Sequence, residues 1–234
     1  MHYSVTAIVV KRELLSKGAS AMYPPPICVI GNLNVDFIIR NVPKMPEWGR
    51  EVMGLGSDQF SSGQAGYLSM ALARLNIPTS VIGNVGNDYH GKQIVAELET
   101  YGVSVEGVNC MDDAKTGISI AIVRADGERA FITDLGCLRV FSQKMVDAHW
   151  NLVENASVVC LVGLFRTPGL SFTAASQILG RARTDGKITM LDTGLGSIEL
   201  VKRDPCGFVL SAVRGDSIYA EPRRGPCNYW ERYS

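Results

Sequence analysis

Four short stretches of the chain are apolar at nearly every position: ICVIG (27–31), TSVIG (79–83), SVVCLVGL (157–164) and KITMLD (187–192). Such runs, with no polar alternation, predict strands covered on both faces, as in a parallel sheet between helical layers. Between them the apolar positions recur every three or four residues. Leu68, Leu72 and Leu75 make one helical stripe, closed by Asn76 and Pro78. A second runs from about Asp88 to Tyr101, with Ile94, Leu98 and Tyr101 inward and Gly102 as the stop. A third follows Ser142 on Val146, Trp150 and Val153, and a fourth fills roughly 170–184. This alternation predicts an α/β fold: a doubly wound, mostly parallel sheet flanked by helices.

One segment changes period. GISIAIVRADGERAFIT (117–133) sets Ile118, Ile120 and Ile122 on alternate positions, turns at Asp126-Gly127 and returns as a second strand. A β-hairpin is predicted here, serving as a lid over a pocket, as an edge that pairs with a second copy, or as plain edge decoration. Around this pattern the chain divides into an N-terminal extension (1–26) ending in YPPP, the α/β domain (27–205), and an irregular tail (206–234) without periodicity.

Composition narrows the partners. The 234 residues, 46% of them hydrophobic, suffice for one main domain, and 23 basic residues balance 23 acidic ones. No broad basic field exists to gather nucleic acid or an anionic membrane, so a small molecule is the expected partner. The six cysteines form no C-x-x-C pair and stand near no histidine at ligand spacing, which argues against zinc and against a disulfide framework. They are expected to be buried thiols. With no apolar stretch long enough for a signal peptide or a membrane span, the expected location is cytoplasmic.

Two places carry candidate chemistry. Asn34 and Asp36 stand two apart just past the first strand, on the edge where doubly wound sheets bind ligands. An amide and a carboxylate facing the same way suit adjacent hydroxyls, although Asp36 also fits a turn-forming role. Before the first helix, Ser61, Ser62, Gly63, Gln64, Ala65 and Gly66 leave the backbone open to close approach beside unpaired helix N–H groups. A serine cap with a glycine bend fits the same residues. Since GNLNVD follows the first strand in place of G-x-G-x-x-G, a dinucleotide-binding dehydrogenase is disfavoured.

ICVIGNLNVDFIIRNVPKMPEWGREV, SSGQAGYLSMALARLNIPTSVIGNVGNDYHGKQIVAELETYGV and TGISIAIVRADGERAFIT resemble, in order and spacing, the N-terminal half of PfkB, or ribokinase-like, carbohydrate kinases. The resemblance covers about residues 27–193. It implies that Asn34 and Asp36 bind sugar hydroxyls, that Gly63 and Gln64 close round the same sugar, and that lid strands occupy about 37–60 and 117–133. It further implies ATP and Mg²⁺ as cofactors of the intact fold and a sugar or nucleoside as substrate. From the hairpin reading, a homodimer through the lid strands is a further expectation. The family's glycine pair and helix-start Asn are replaced by Ser62-Gly63 and Tyr67. Gly86 and Asp88 of GNVGND are assigned structural roles, as strand-to-helix turn and helix cap.

The family's catalytic D-T-x-G-A-G-D motif has no counterpart. Asp216 in VRGDS lacks the preceding Gly-Ala and a following helix, and DTGLG (192–196) suits a strand exit. No catalytic residue and no metal ligand is therefore assigned. The expectation is a carbohydrate kinase lineage whose C-terminal, ATP-binding part is missing, cut short by a frame change near Gly207. The alternative is a non-catalytic sugar-binding or dimerising module.

Overall fold

The computed structural model describes residues 24–194; Asp216 and the 206–234 tail lie outside them. Five strands make a parallel sheet: β1 (Ile27–Gly31), β4 (Thr79–Gly86), β5 (Ser104–Met111), β8 (Val158–Val162) and β9 (Ile188–Asp192), in the order β5-β4-β1-β8-β9. Their apolar runs are used on both faces. Cys28 and Ile30 of β1, with Val159 and Leu161 of β8, enter one core with Phe141, Val146, Trp150 and Ile178. Val29, with Val81, Val85 and Cys160, enters the other, against α1 (Gln64–Arg74) and α2 (Tyr89–Thr100). Successive side chains of a strand point to opposite faces, so a polar residue at any of these positions would be buried unpaired.

The first core is closed by α3 (Gln143–Asp147), α4 (Trp150–Glu154) and α5 (Phe172–Thr184). The single helix expected after Ser142 is two short ones broken near Ala148 and His149, yet Val146, Trp150 and Val153 are all buried. Arg181 of α5 lies 3.7 Å over the Trp150 ring and ties the pieces together, a contact worth about 0.5–1 kcal/mol. Leu75 departs from its expected inward place. It caps the end of α1 and is 69% exposed, because the helix stops one residue before it. The β5 strand was not apparent from SVEGVNCM, an edge segment with only Gly107 fully buried. A β-carbon at Gly107 would fall 2.6 Å from the Val81 carbonyl oxygen, so close strand approach is what the glycine serves.

The predicted hairpin is half of a second sheet. β2 (Asn34–Ile39), β3 (Ser57–Ser62), β6 (Gly117–Val123) and β7 (Arg129–Asp134) pair in the order β3-β2-β6-β7, with β2 and β6 parallel and the outer pairs antiparallel. Its first strand begins at Asn34, three residues earlier than the expected lid segment. One face carries the row Phe60, Asp36, Ser119 and Thr133, and the other carries Gln59, Phe37, Ile120 and Ile132. Part of the second face is docked on α2 through β2 and β3, where Phe37 meets His90 edge-on at 5.7 Å and Gln59 donates to Gln93 at 2.8 Å.

Asp88 serves as the expected cap and does more. Its Oδ1 accepts from Gly91 N–H (2.9 Å) and the Thr116 hydroxyl (2.7 Å), and its Oδ2 from Thr116 N–H (2.8 Å), fastening α2 to the start of β6. Burial alone would raise its pKa. The three hydrogen bonds outweigh that and hold it below the usual carboxylate value. Its contribution is therefore present above the unfolded-state pKa and fades as pH falls through the lowered folded one. Asp88→Ala should cost about 2–3 kcal/mol at neutral pH, read as a lower urea midpoint. A midpoint within error of the parent would discount the clamp.

Candidate functional site

The sheet winds outward from β1 in both directions, to β4 and β5 on one side and to β8 and β9 on the other. The crevice at such a reversal, beyond the carboxyl ends of the strands, is where this architecture holds ligands. The chain leaving β1 enters it through Asn32, and β8 leaves beside it through Gly163. Gly163 has φ 68°, and a β-carbon there would overlap Asn32 Oδ1.

Asn32, Asn34 and Asp36 stand at alternate positions and hydrogen-bond in line. Asn32 Nδ2 donates to Asn34 Oδ1 at 2.9 Å. Asn34 Nδ2 donates to Asp36 Oδ1 at 2.9 Å and to Ser62 Oγ at 2.8 Å, Ser62 being its cross-strand partner on β3. Asn34 and Ser62 are buried and Asp36 is partly so. Burial raises the Asp36 pKa, offset in part by hydrogen bonds from Ser62, Tyr67 and Asn34 and by the positive charge of Arg166. The Tyr67 hydroxyl, on the first turn of α1, reaches Asp36 Oδ2 at 3.3 Å. Burial and then the neighbouring Asp36 charge push the phenol above its ordinary pKa.

Of the sequence-derived site residues, Asn34 and Asp36 thus converge, and Gly63 lies directly behind them. Gly63 caps α1 with φ 87°, and no side chain caps that helix. A β-carbon on it would overlap the Asn32 carbonyl oxygen and fall 3.0 Å from Asn34 Oδ1. What comes close to the backbone here is the chain leaving β1. Gln64 takes another direction: β-carbons at Gly163 and Gly194 would lie against its amide, so it faces the exits of β8 and β9. Gly194 has φ 73° and its N–H is held by Asp192 Oδ1 at 2.9 Å, the strand exit expected of that stretch. Asn32 and Arg166 went unassigned in the sequence, while Ser62 and Tyr67 were marked there only as a loop residue and as the replacement for the family's helix-start Asn. For Asn32 the signal was present, as the first of three polar residues spaced by two.

Over residues 25–197 the sequence matches the family model described as pfkB family carbohydrate kinase. The chain belongs to the pfkB family of carbohydrate kinases. It is similar to a ribokinase of Arabidopsis thaliana, 26% identical over 148 residues, covering 62% of this chain and 39% of that protein. It is also similar to an ATP-dependent ribose-1-phosphate kinase of Halopiger xanaduensis, 31% identical over 131 residues, covering 56% of this chain and 43% of that protein. The chain thus spans about two-fifths of the length of these curated pfkB relatives. Among solved structures, Arabidopsis thaliana ribokinase complexed with ribose and ATP superposes with a TM-score of 0.61 at 24% identity, covering 73% of this chain and 54% of that one. Ribokinase from Giardia lamblia gives 0.60 at 18%, covering 71% and 49%. These likenesses establish the ribokinase-like fold.

Two further expectations are revised or bounded. Cys28, Cys137 and Cys160 are buried, and desolvation lifts their thiols to about 12, 11 and 11, so they are inert. Cys110 is exposed, contrary to expectation, because it lies on the edge strand β5. Among the described residues, no helix is long and apolar enough to cross a membrane. Among the described residues, no group of three or more His, Cys, Asp or Glu side chains is placed to hold a metal ion.

Proposed function

We propose that Asn34, Asp36 and the Gly63 bend cradle the acceptor sugar of an ATP-dependent carbohydrate kinase, a pentose, a hexose or the ribose of a nucleoside. One observation carries this reading: the line of donors from Asn32 through Asn34 to Asp36, which leaves a carboxylate with unused lone pairs at the crevice. An ionised carboxylate only accepts hydrogen bonds, so its natural ligand is a donor with adjacent hydroxyls. The names of the ribokinase relatives support a sugar, and the ribose and ATP of the Arabidopsis complex support the same pairing. Gln64 walls the cradle toward β8 and β9, and the acceptor's position and charge would govern phosphoryl transfer in the intact kinase.

Calorimetry on the full chain with D-ribose, D-fructose and adenosine, each with and without ATP and Mg²⁺, tests the reading. Saturable binding of one of them is expected. Failure of all three discards it. ATP-dependent turnover would reject the alternative of a non-catalytic binding module, which binding without turnover would favour. Pairing of two copies through the second sheet is supported by Ile39 and Ile132, exposed on its apolar face. Sedimentation of the same preparation as a monomer at all concentrations would remove that component.

A further inference from the structure

The hydrogen bonds at Asp36 have one direction. Asn32 donates to Asn34, Asn34 donates to Asp36 and Ser62, and Tyr67 donates to Asp36. Both amide hydrogens of Asn34 are consumed within the protein, so Asn34 orients the carboxylate and has only an oxygen lone pair left for a ligand. Asp36 Oδ1 then holds Asn34 and Oδ2 holds Tyr67, with the Ser62 hydroxyl also bonded to the carboxylate.

Asn34 and Tyr67 are unequal donors. The Asn34 contact is 2.9 Å and is itself anchored by buried Asn32 and Ser62. The Tyr67 contact is 3.3 Å, long for a hydroxyl on a carboxylate, and the residue is 46% exposed. A long bond from an exposed phenol is weak and is open to competition from any hydroxyl that arrives in its place.

We propose that Tyr67 is a specificity-determining residue: in the free protein its phenol stands in for a ligand hydroxyl on Asp36 Oδ2, and a bound polyol displaces it. The inference rests on the polyol reading of the cradle. It goes further in making affinity the difference between two hydroxyls competing for one oxygen. A ligand offering one hydroxyl gains little over the phenol. A ligand with adjacent hydroxyls fills the vacated position and a second lone pair together, so the cradle selects vicinal diols. Once displaced, the ring swings at the mouth beside the ligand and limits the bulk accepted there.

The test has two arms, both on the full chain. In the first, fluorotyrosine is incorporated and the Tyr67 resonance is assigned by its loss in Tyr67→Phe. That resonance should move in Asp36→Asn without ligand, and again in the parent when D-ribose is added. In the second, calorimetry should give Tyr67→Phe about two- to fivefold tighter D-ribose binding than the parent, since one weak competing hydrogen bond is gone. Tyr67→Ala should follow the same direction. A resonance indifferent to Asp36→Asn overturns the inference, because the phenol is then not on the carboxylate. Equal or weaker ribose binding by both variants, with parent binding intact, overturns the displacement and leaves the polyol reading standing. If the resonance responds to Asp36→Asn but neither the parent nor either variant binds a polyol, the polyol reading itself fails and takes the displacement with it.

Discussion

Asp36→Ala should lower affinity for D-ribose at least about a hundredfold while the chain stays folded. Two hydroxyl-to-carboxylate hydrogen bonds are lost, each worth roughly 1.5–3 kcal/mol when one partner is charged. Asn34 offers no substitute, since its amide hydrogens are spent on Asp36 and Ser62. The pH profile gives an independent reading. Ligand hydroxyls need the ionised form, and burial raises the Asp36 pKa, so ribose affinity should fall as pH drops through a value above the ordinary carboxylate one. Stability runs the opposite way. A carboxylate whose folded pKa is raised favours the folded state while protonated, so its stabilisation is lost as pH rises from the unfolded to the folded value. Asp36→Ala should flatten both dependences. Calorimetry that finds ribose binding within threefold of the parent would remove Asp36 from the site.

Gly63→Ala should cost about 3 kcal/mol of stability. The residue sits at φ 87°, where an L side chain is strained by roughly 1–2 kcal/mol. The new methyl would also overlap the Asn32 carbonyl oxygen and press on Asn34 Oδ1. Gly102→Ala separates these terms. It has φ 81° but nothing within 4 Å of the added carbon, so it should lose only the conformational part. Urea unfolding of the two variants, compared at unchanged slope, makes the measurement. A Gly63→Ala midpoint no lower than that of Gly102→Ala would mean that the crossing at Asn32 yields to the methyl, and that the small-residue run is not needed for it.

Much of the fold was legible because its signals are local and redundant. The runs at 27–31, 79–83 and 157–164 became β1, β4 and β8, since a strand buried on both faces has no position where a polar side chain escapes; the run at 187–192 became β9, an edge strand that is only partly buried, contrary to expectation. The helix from Asp88 announced its own ends, with the cap at its start and Gly102 at φ 81° past its close. The edge strand β5 and the break between α3 and α4 carried no such signal. An edge strand needs little apolar surface, and a helix break near His149 is tolerated because tertiary packing still buries Val146 and Trp150.

The site divides in the same way. Residues spaced by two along one strand must share a face, so Asn34 and Asp36 were bound to act together whatever lay around them. The amino-acid order by itself determined that pairing, the layered α/β architecture and the likeness to pfkB carbohydrate kinases. Only the tertiary structure decided that Gly63 is small for the sake of the Asn32 carbonyl, that Gln64 faces Gly163 and Gly194, and that Tyr67 lies on Asp36. Those contacts join β1, α1, β2 and the exits of β8 and β9, segments as far apart in the chain as Gln64 and Gly194. Their geometry follows from how the two sheets and the helix pack, which no local periodicity encodes.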